Sequence, residues 1–471
     1  MERKNCWEDI TTRAKEKEVD RFAKGYMEFL NNGKTERECV DQIVNRIEEA
    51  GYTELSKIGK KKLKAGDKVY ATWMNKTLVM FQIGKKPLQE GLNILGAHID
   101  SPRLDVKQNP LYEDNGIAYL DTHYYGGIKK YQWVTLPLAI HGVVVKKDGT
   151  TVELAIGEDE DDPVFFISDL LPHLGAEQMD KKAAKVIEGE ALDLIVGNKP
   201  IILDKKAKET DEGKKAAKEA VKSGVLDILK NQYDIEEEDF ISAELEIVPA
   251  GKAREAGFDR SMILGYGQDD RVCAYTSYEA MLEIGAVERT ACCILVDKEE
   301  IGSVGATGMQ SKFFENTVAE LMDACGSYSE LAVRKCLANS YMLSSDVSAA
   351  FDPSYASAFE KKNAAILGKG IVFNKFTGAR GKSGSNDANA EYIGIIRKVL
   401  DDAKVNFQTA ELGKVDVGGG GTIAYILALY GMNVIDSGVA VLNMHAPWEA
   451  TSKIDVYEAK RAYIAFLNGI K

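Results

Sequence analysis

The sequence predicts an α/β fold in which a layered domain is split in the chain by a mainly β insertion. Three observations predict it. Four short apolar runs show no polar alternation, as expected of strands buried on both faces of a sheet. Helical patterns alternate with those runs, the order of a layered α/β fold. Between residues 106 and 250 the texture changes to short β runs, and 471 residues exceed what one hydrophobic core usually supports. The predicted organisation is therefore 1–105 and 251–471 as one domain, with 106–250 inserted as a second.

Taken in order, residues 8–50 are charge-rich with apolar positions at helical spacing: Val19, Phe22, Ala23, Tyr26, Phe29 and Leu30, then Val40, Ile43 and Ile47. They predict two amphipathic helices packed on a larger body. Val69–Trp73 and Thr77–Ile83 predict a hairpin. Leu92 to Ala97 is the first apolar run and stops at His98-Ile99-Asp100-Ser101-Pro102. Within the insertion, 117–127, 134–141, 143–145, 152–156 and 240–248 read as strands, and the Lys-, Ala- and Glu-rich stretch 181–222 as exposed helix or loop. Gly265-Tyr266-Gly267-Gln268-Asp269-Asp270-Arg271 opens a helical pattern through Ala274, Tyr278, Met281 and Ile284. An aspartate there can be an N-cap, but a cap does not need two. The second run, 292–296, stops at Asp297-Lys298-Glu299-Glu300-Ile301-Gly302-Ser303, the third, 341–345, at Asp346, and the fourth, 438–444, at His445-Ala446-Pro447-Trp448-Glu449. Helices are expected at 315–338, 386–404 and about 455–467.

Composition narrows the function. Hydrophobic residues at 45% and charged residues at 28% are globular values. A formal net charge of −13 argues against nucleic-acid binding, and bound divalent cations would offset part of it. No stretch approaches the roughly 18 to 20 apolar residues of a membrane span. The charged start Met1-Glu2-Arg3-Lys4-Asn5 leads into no signal-type apolar region, and the seven cysteines form no Cys-x-x-Cys pair. A cytoplasmic protein with reduced thiols is expected.

In parallel sheets, sites form outside the carboxyl ends of the strands. Four strands that each stop at a His, Asp or Glu therefore predict one shared site. An isolated Glu-Glu pair is usually a solvated loop, and this repetition argues otherwise. His98, Asp269, Glu300, Asp346 and His445 offer nitrogen and oxygen donors suited to a borderline divalent ion; if one aspartate bridges, two ions have three protein ligands each and keep open positions. Glu299, adjacent on an extended backbone, then faces away from metal duty and serves as general base for the activated water. Asp100 is expected behind His98, fixing the imidazole through its other nitrogen. His123 and His141 sit in β runs and read as structural, and His173 is left open. Gly418-Gly419-Gly420-Gly421-Thr422 and Gly381-Lys382-Ser383 match neither phosphate-loop spacing, and Gly381-Lys382-Ser383-Gly384-Ser385 matches a nucleophile elbow only loosely. Shaping of backbone beside a substrate pocket is the expected role of both stretches.

Gly96-Ala97-His98-Ile99-Asp100-Ser101-Pro102, Gln268-Asp269-Asp270-Arg271, Asp297 to Ser303, Ser344-Ser345-Asp346 and Asn443 to Glu449 together resemble the M18 family of zinc aminopeptidases, which includes aspartyl aminopeptidase and yeast vacuolar aminopeptidase I. The resemblance spans nearly the whole chain and keeps motif order. It implies a three-layer α/β metallopeptidase domain with an inserted, mainly β dimerisation domain. It implies two zinc ions, with cobalt or manganese as alternatives: Asp269 bridging, His98 and Asp346 on one, Glu300 and His445 on the other, and Glu299 as the base. It also implies peptide substrates, a tetrahedral dodecamer built from dimers, and a histidine, here His173, reaching a neighbouring subunit's site. The chain departs from the aspartyl branch at Glu177 and Ala349, where that branch carries histidines. The basic loop with Lys375, Arg380 and Lys382 still offers cations to an acidic side chain, so N-terminal preference stays open between acidic and neutral residues. Metallo-carboxypeptidase or amide deacylase chemistry would use the same water activation, and a non-catalytic assembly protein would keep the fold without metal.

Overall fold

The computed structural model describes residues 4–203, 206, 209–378 and 384–471. Its contacts divide the chain into two units: Met1–Ser101, Ala253–Met444 and Trp448–Lys471 form the first, and Pro102–Lys252 with His445–Pro447 the second.

The first unit begins with helices Arg13–Asn32 and Glu36–Glu49. Thr12 and Thr35 start them, each accepting the backbone N–H of the helix's third residue. At the second, Glu38 also reaches back to the Thr35 N–H, closing a capping box. Val19, Phe22, Ala23, Tyr26, Phe29 and Leu30 form the buried stripe that holds the first helix down. Among the described residues, nine strands make the main sheet, in the order Thr53–Glu54, Lys68–Trp73, Thr77–Gln82, Ala291–Val296, Asn93–His98, Tyr341–Ser345, Asn433–Gly438, Ile371–Asn374 and Phe407–Thr409. The four strands from Ala291–Val296 to Asn433–Gly438 run parallel, with Val296 opposite His98 and Ser345 opposite Ser437. Their carboxyl ends consequently lie side by side.

Helices cover both faces, which makes the unit α/β in three layers. Leu95, Cys293, Leu343 and Ile435 pack with the helices Gln268–Glu283 and Lys453–Gly469; Ile94, Ile294, Met342 and Val434 pack with Phe313–Ala324, Glu330–Ala338 and Ala424–Ala428. Successive residues of one strand thus feed opposite cores, which is why these runs show no polar alternation. The fourth apolar run is corrected by the structure. Residues 438–444 are not one strand of the main sheet: that strand is Asn433–Gly438, and Ala440–Leu442 pairs instead with Glu449–Ser452 and Ser348–Ala349 in a separate sheet that also holds Met262–Gly265 and Arg254–Ala256. Both segments are apolar because both are buried, and burial does not reveal which sheet a strand joins.

The second unit is built on an antiparallel sheet ordered Thr151–Ile156, Leu138–Val145, Ala243–Pro249, Arg103–Asp114, Ile117–Tyr125 and Leu194–Gly197. Its first strand starts at Arg103, ahead of the change of texture in the sequence. The helix Ala220–Tyr233 contributes Val225, Ile228 and Leu229 to an apolar cavity shared with Leu120, Ile140 and Leu245 of the sheet. Among the described residues no helix is long and apolar enough to cross a membrane.

Candidate metal centre

The strand Asn93–His98 is buried along its length and delivers His98 to the carboxyl edge of the sheet. His98 Nδ1 lies 3.1 Å from the Asp100 carbonyl oxygen and 3.3 Å from Asp100 Oδ1. With Nδ1 so engaged, Nε2 faces the other acids: 3.2 Å from Asp269 Oδ1, 3.9 Å from Glu299 Oε2 and 4.0 Å from Asp346 Oδ1. That nitrogen is buried and makes no hydrogen bond, the condition of an imidazole held ready for a ligand.

Beyond Ala291–Val296 the chain takes a left-handed conformation at Lys298 (φ 68°) and winds Glu299–Ile301 into a single 3-10 turn before Gly302 (φ 97°) releases it. The two glutamates therefore leave a turn of about three residues per revolution rather than alternate on an extended backbone, which corrects the geometry read from sequence. Asp100 sets this turn. Its Oδ1 accepts the Glu299 N–H and its Oδ2 the Glu300 N–H, each at 3.2 Å, satisfying donors that a helical start leaves without partners. One carboxylate thereby aligns the imidazole and both glutamates.

Asp269 enters where Met262–Gly265 gives way to Gln268–Glu283. Gly267 (φ 72°) starts that helix with no side-chain cap, Asp269 and Asp270 keep non-helical dihedrals, and the peptide bond between them is cis. The aspartates are thus not N-caps. Asp269 is held by its backbone: Glu449 Oε2 accepts its N–H at 3.0 Å and Ser101 Oγ donates to its carbonyl at 2.7 Å. Gln268 Nε2 donates to the Ile263 and Glu449 carbonyls at 3.1 and 2.6 Å, and Tyr26 donates to Gln268 Oε1. Asp346 follows Tyr341–Ser345 and donates its N–H to the Ser437 carbonyl at 3.0 Å.

Ligand atoms of His98, Asp270 and Asp346 lie within 4.8 Å of one another, as do those of His98, Glu299 and Glu300; Asp269 and Glu300 are equally close. Burial, followed by the negative charges of Asp269, Asp270 and Glu299, raises the Asp346 pKa well above the carboxylate range. Burial also raises Asp270, with His98 opposing and Asp269 adding to the shift. Burial works against a charged His98, yet Asp100, Asp269 and Glu299 prevail and hold its pKa well above the ordinary imidazole value. Acids this crowded repel one another strongly in a low-dielectric site. A divalent cation relieves that repulsion, and the mixed imidazole and carboxylate donors suit zinc. The residues fit the ion.

His445 falls in the short segment grouped with the second unit, where its Nδ1 lies 2.8 Å from the Gly127 carbonyl oxygen, leaving Nε2 as the nitrogen able to ligate. His173 is exposed on the 3-10 turn Pro172–Leu174 of that unit. Lys375 is exposed with Nζ 3.8 Å from Asp387 Oδ1, whereas Arg380 and the Gly381-Lys382-Ser383 stretch lie outside the described residues. Sequence reasoning gave no separate role to Asp270, Gln268, Ser101 or Glu449. The doubled aspartate was the available signal for Asp270; Gln268, Ser101 and Glu449 act through partners far away in the chain.

A family model described as Aminopeptidase I zinc metalloprotease (M18) matches residues 29–467. A probable M18 family aminopeptidase 1 of Clostridium acetobutylicum is 63% identical over 469 residues, covering 99% of this chain and 98% of that protein. The crystal structure of aminopeptidase I from the same organism superposes with a TM-score of 0.90 at 62% identity, covering 99% of each chain. An M18 aminopeptidase from Thermotoga maritima gives a TM-score of 0.92 at 45% identity over 100% of both chains. The S. cerevisiae mApe1 dodecamer shares the fold, with a TM-score of 0.73 at 19% identity over 94% of this chain and 95% of its own.

Proposed function

The chain belongs to the M18 family of zinc metalloproteases and is an aminopeptidase, and from that premise we propose a dinuclear zinc enzyme that removes acidic or neutral N-terminal residues from peptides. One ion would be held by His98 and Asp346, the other by Glu300 and His445, and Asp269 would bridge them. The placement of His445 draws on chain continuity, because Glu449, four residues on, accepts from the Asp269 N–H. Zinc bound there lowers the pKa of water to about 7 and polarises a carbonyl. Glu299 takes the proton lost by the attacking water and passes it to the leaving amine. Asp100 keeps base and imidazole in register through the three bonds it accepts.

The observation that carries this reading is the single nitrogen, His98 Nε2, faced by Asp269, Glu299 and Asp346 from three distant chain segments. Metal analysis combined with cleavage of free and N-acetylated peptides tests it. Two zinc ions per chain and strict need for a free amine are expected; full activity with one ion, or equal cleavage of acetylated peptides, would falsify it.

The same proposal takes the second unit as a dimerisation domain within a tetrahedral dodecamer, as the yeast relative is a dodecamer. His173 then serves a neighbouring subunit's substrate; its turn carries the exposed Leu174 and follows the exposed Leu171, surface suited to an interface. The free state of all seven cysteines supports a cytoplasmic location.

A further inference from the structure

The strand Ala291–Val296 hands the chain to the glutamate turn through Asp297 and Lys298, two residues to which the hydrolysis above gives no part. Lys298 lies in the left-handed region (φ 68°), which a lysine keeps only where its surroundings over-determine it. Its predecessor's carboxylate does so. Asp297, 0% exposed, accepts the Lys298 N–H on Oδ1 at 2.8 Å, and its Oδ2 stands 3.2 Å from the Lys298 ammonium. Both donors of the turned residue thus end on one side chain.

Asp297 is itself fixed from behind. Its Oδ2 also accepts the Thr307 hydroxyl at 2.5 Å, and its N–H donates to the Thr307 carbonyl at 3.2 Å. That carbonyl takes a second bond of 2.5 Å from the hydroxyl of Thr77, whose strand Thr77–Gln82 pairs with Ala291–Val296. Thr77 and Thr307 are both buried. On the far side the Lys298 carbonyl accepts the Ser303 N–H at 2.6 Å, and the Lys298 stem lies along Gly305, where an added Cβ would stand 3.0 Å from Lys298 Cδ.

The N–H groups of residues 298, 299 and 300 therefore all end on carboxylates, the first on Asp297 and the next two on Asp100. The conformation of Lys298 sets the direction in which the following residue leaves, and that residue is Glu299, with Oε2 3.9 Å from His98 Nε2. A bound ion would anchor Glu300. An unligated base has only its backbone to place it.

We propose that Asp297 is a positioning residue for the general base: by holding Lys298 in its left-handed conformation, it aims the Glu299 carboxylate at the attacking water. It acts only through that turn. The inference rests on the reading of Glu299 as the base, but the holding of the turn does not.

The test uses the zinc-loaded full-length protein as wild type, Asp297→Ala, Asp297→Asn, Glu299→Gln and the double variant Asp297→Ala/Glu299→Gln, with leucyl and aspartyl chromogenic amides. Asp297→Ala should lower kcat about 10- to 100-fold, the scale of a reacting group misplaced by about 1 Å, with KM within about threefold and zinc content unchanged. Asp297→Asn, whose carbonyl still accepts the Lys298 N–H, should recover most of the loss. In the Glu299→Gln background the same alanine should cost less than about threefold more, because the group it positions is already disabled. Hydrogen exchange of amides 298–303 should be faster in Asp297→Ala. If that variant does not fold, Thr307→Val, which removes the hydroxyl bond to Oδ2, should give a smaller loss of kcat at constant KM. Near-wild-type kcat with unchanged exchange, a loss of equal size in both backgrounds, or loss of zinc together with kcat overturns the proposal. If Glu299→Gln itself turns over normally, the base assignment is what has failed, and faster exchange in Asp297→Ala would still establish Asp297 as the residue that holds the turn.

Discussion

At the scale of single residues, the proposed centre requires one carboxylate to stay unligated beside another that binds. Glu299 and Glu300 are neighbours on one turn, and both N–H groups end on Asp100. Removing only the basicity of the first therefore separates proton transfer from metal binding. Glu299→Gln should retain zinc and lose about 100- to 10,000-fold in kcat, the usual worth of a general base; near-normal turnover in a zinc-replete sample would refute the assignment. The gathering of these side chains was legible because an apolar run that stops at an imidazole or a carboxylate is a local signal, as at His98, Glu300 and Asp346. Their supports were not. Tyr26 reaches Gln268, and Glu449 reaches Asp269, across 242 and 180 residues, separations that leave no periodic trace in a sequence.

At the scale of elements, two contacts make strand and helix placement matter to the centre. Gly438 ends the strand beside Asp346, and an added Cβ would sit 1.9 Å from the Asp346 carbonyl oxygen. Backbone against backbone cannot yield by a rotamer change. Gly438→Ala should lower stability by about 1–3 kcal/mol as overpacking does, and calorimetry with zinc titration should show a lower Tm and weaker binding together. Asp455, in the first turn of Lys453–Gly469, accepts the Gly368 and Gly370 N–H groups at 2.7 Å each. Burial pushes its pKa up to about 7 against those two bonds, with Glu458 adding to the rise. A raised carboxyl binds its proton more tightly folded than unfolded, so its contribution is complete below about pH 4 and is lost as pH rises through about 7, by roughly 4 kcal/mol at most. Between pH 5 and 8 the urea midpoint of metal-stripped wild type should fall relative to Asp455→Asn; parallel curves would refute this. The amphipathic helices and the buried apolar strands were readable at this scale from their period, whereas Arg103–Asp114, rich in polar residues, and the short Met262–Gly265 were not. At 438–444 and the turn at Glu299, equally buried or equally charged residues take different backbone paths.

At the scale of the whole molecule, three separate stretches of sequence make the first unit, and its acid cluster would be stabilised by an ion that the unfolded chain binds poorly. Chelation should therefore abolish activity and also lower Tm, since a ligand bound only to the native state stabilises it by mass action; an unchanged Tm after complete zinc removal would contradict this. The layered fold and a β insertion could be anticipated because long apolar runs and their interruption are global features. The order of the strands could not, and it has a further bearing. Asn93–His98 finds its neighbours in Ala291–Val296 and Tyr341–Ser345, so on the ribosome this apolar segment emerges about 190 residues before any partner exists. At about 5–20 residues per second, a nascent chain carries that unsatisfied edge for about 10 to 40 seconds, a window in which an exposed apolar edge is open to aggregation.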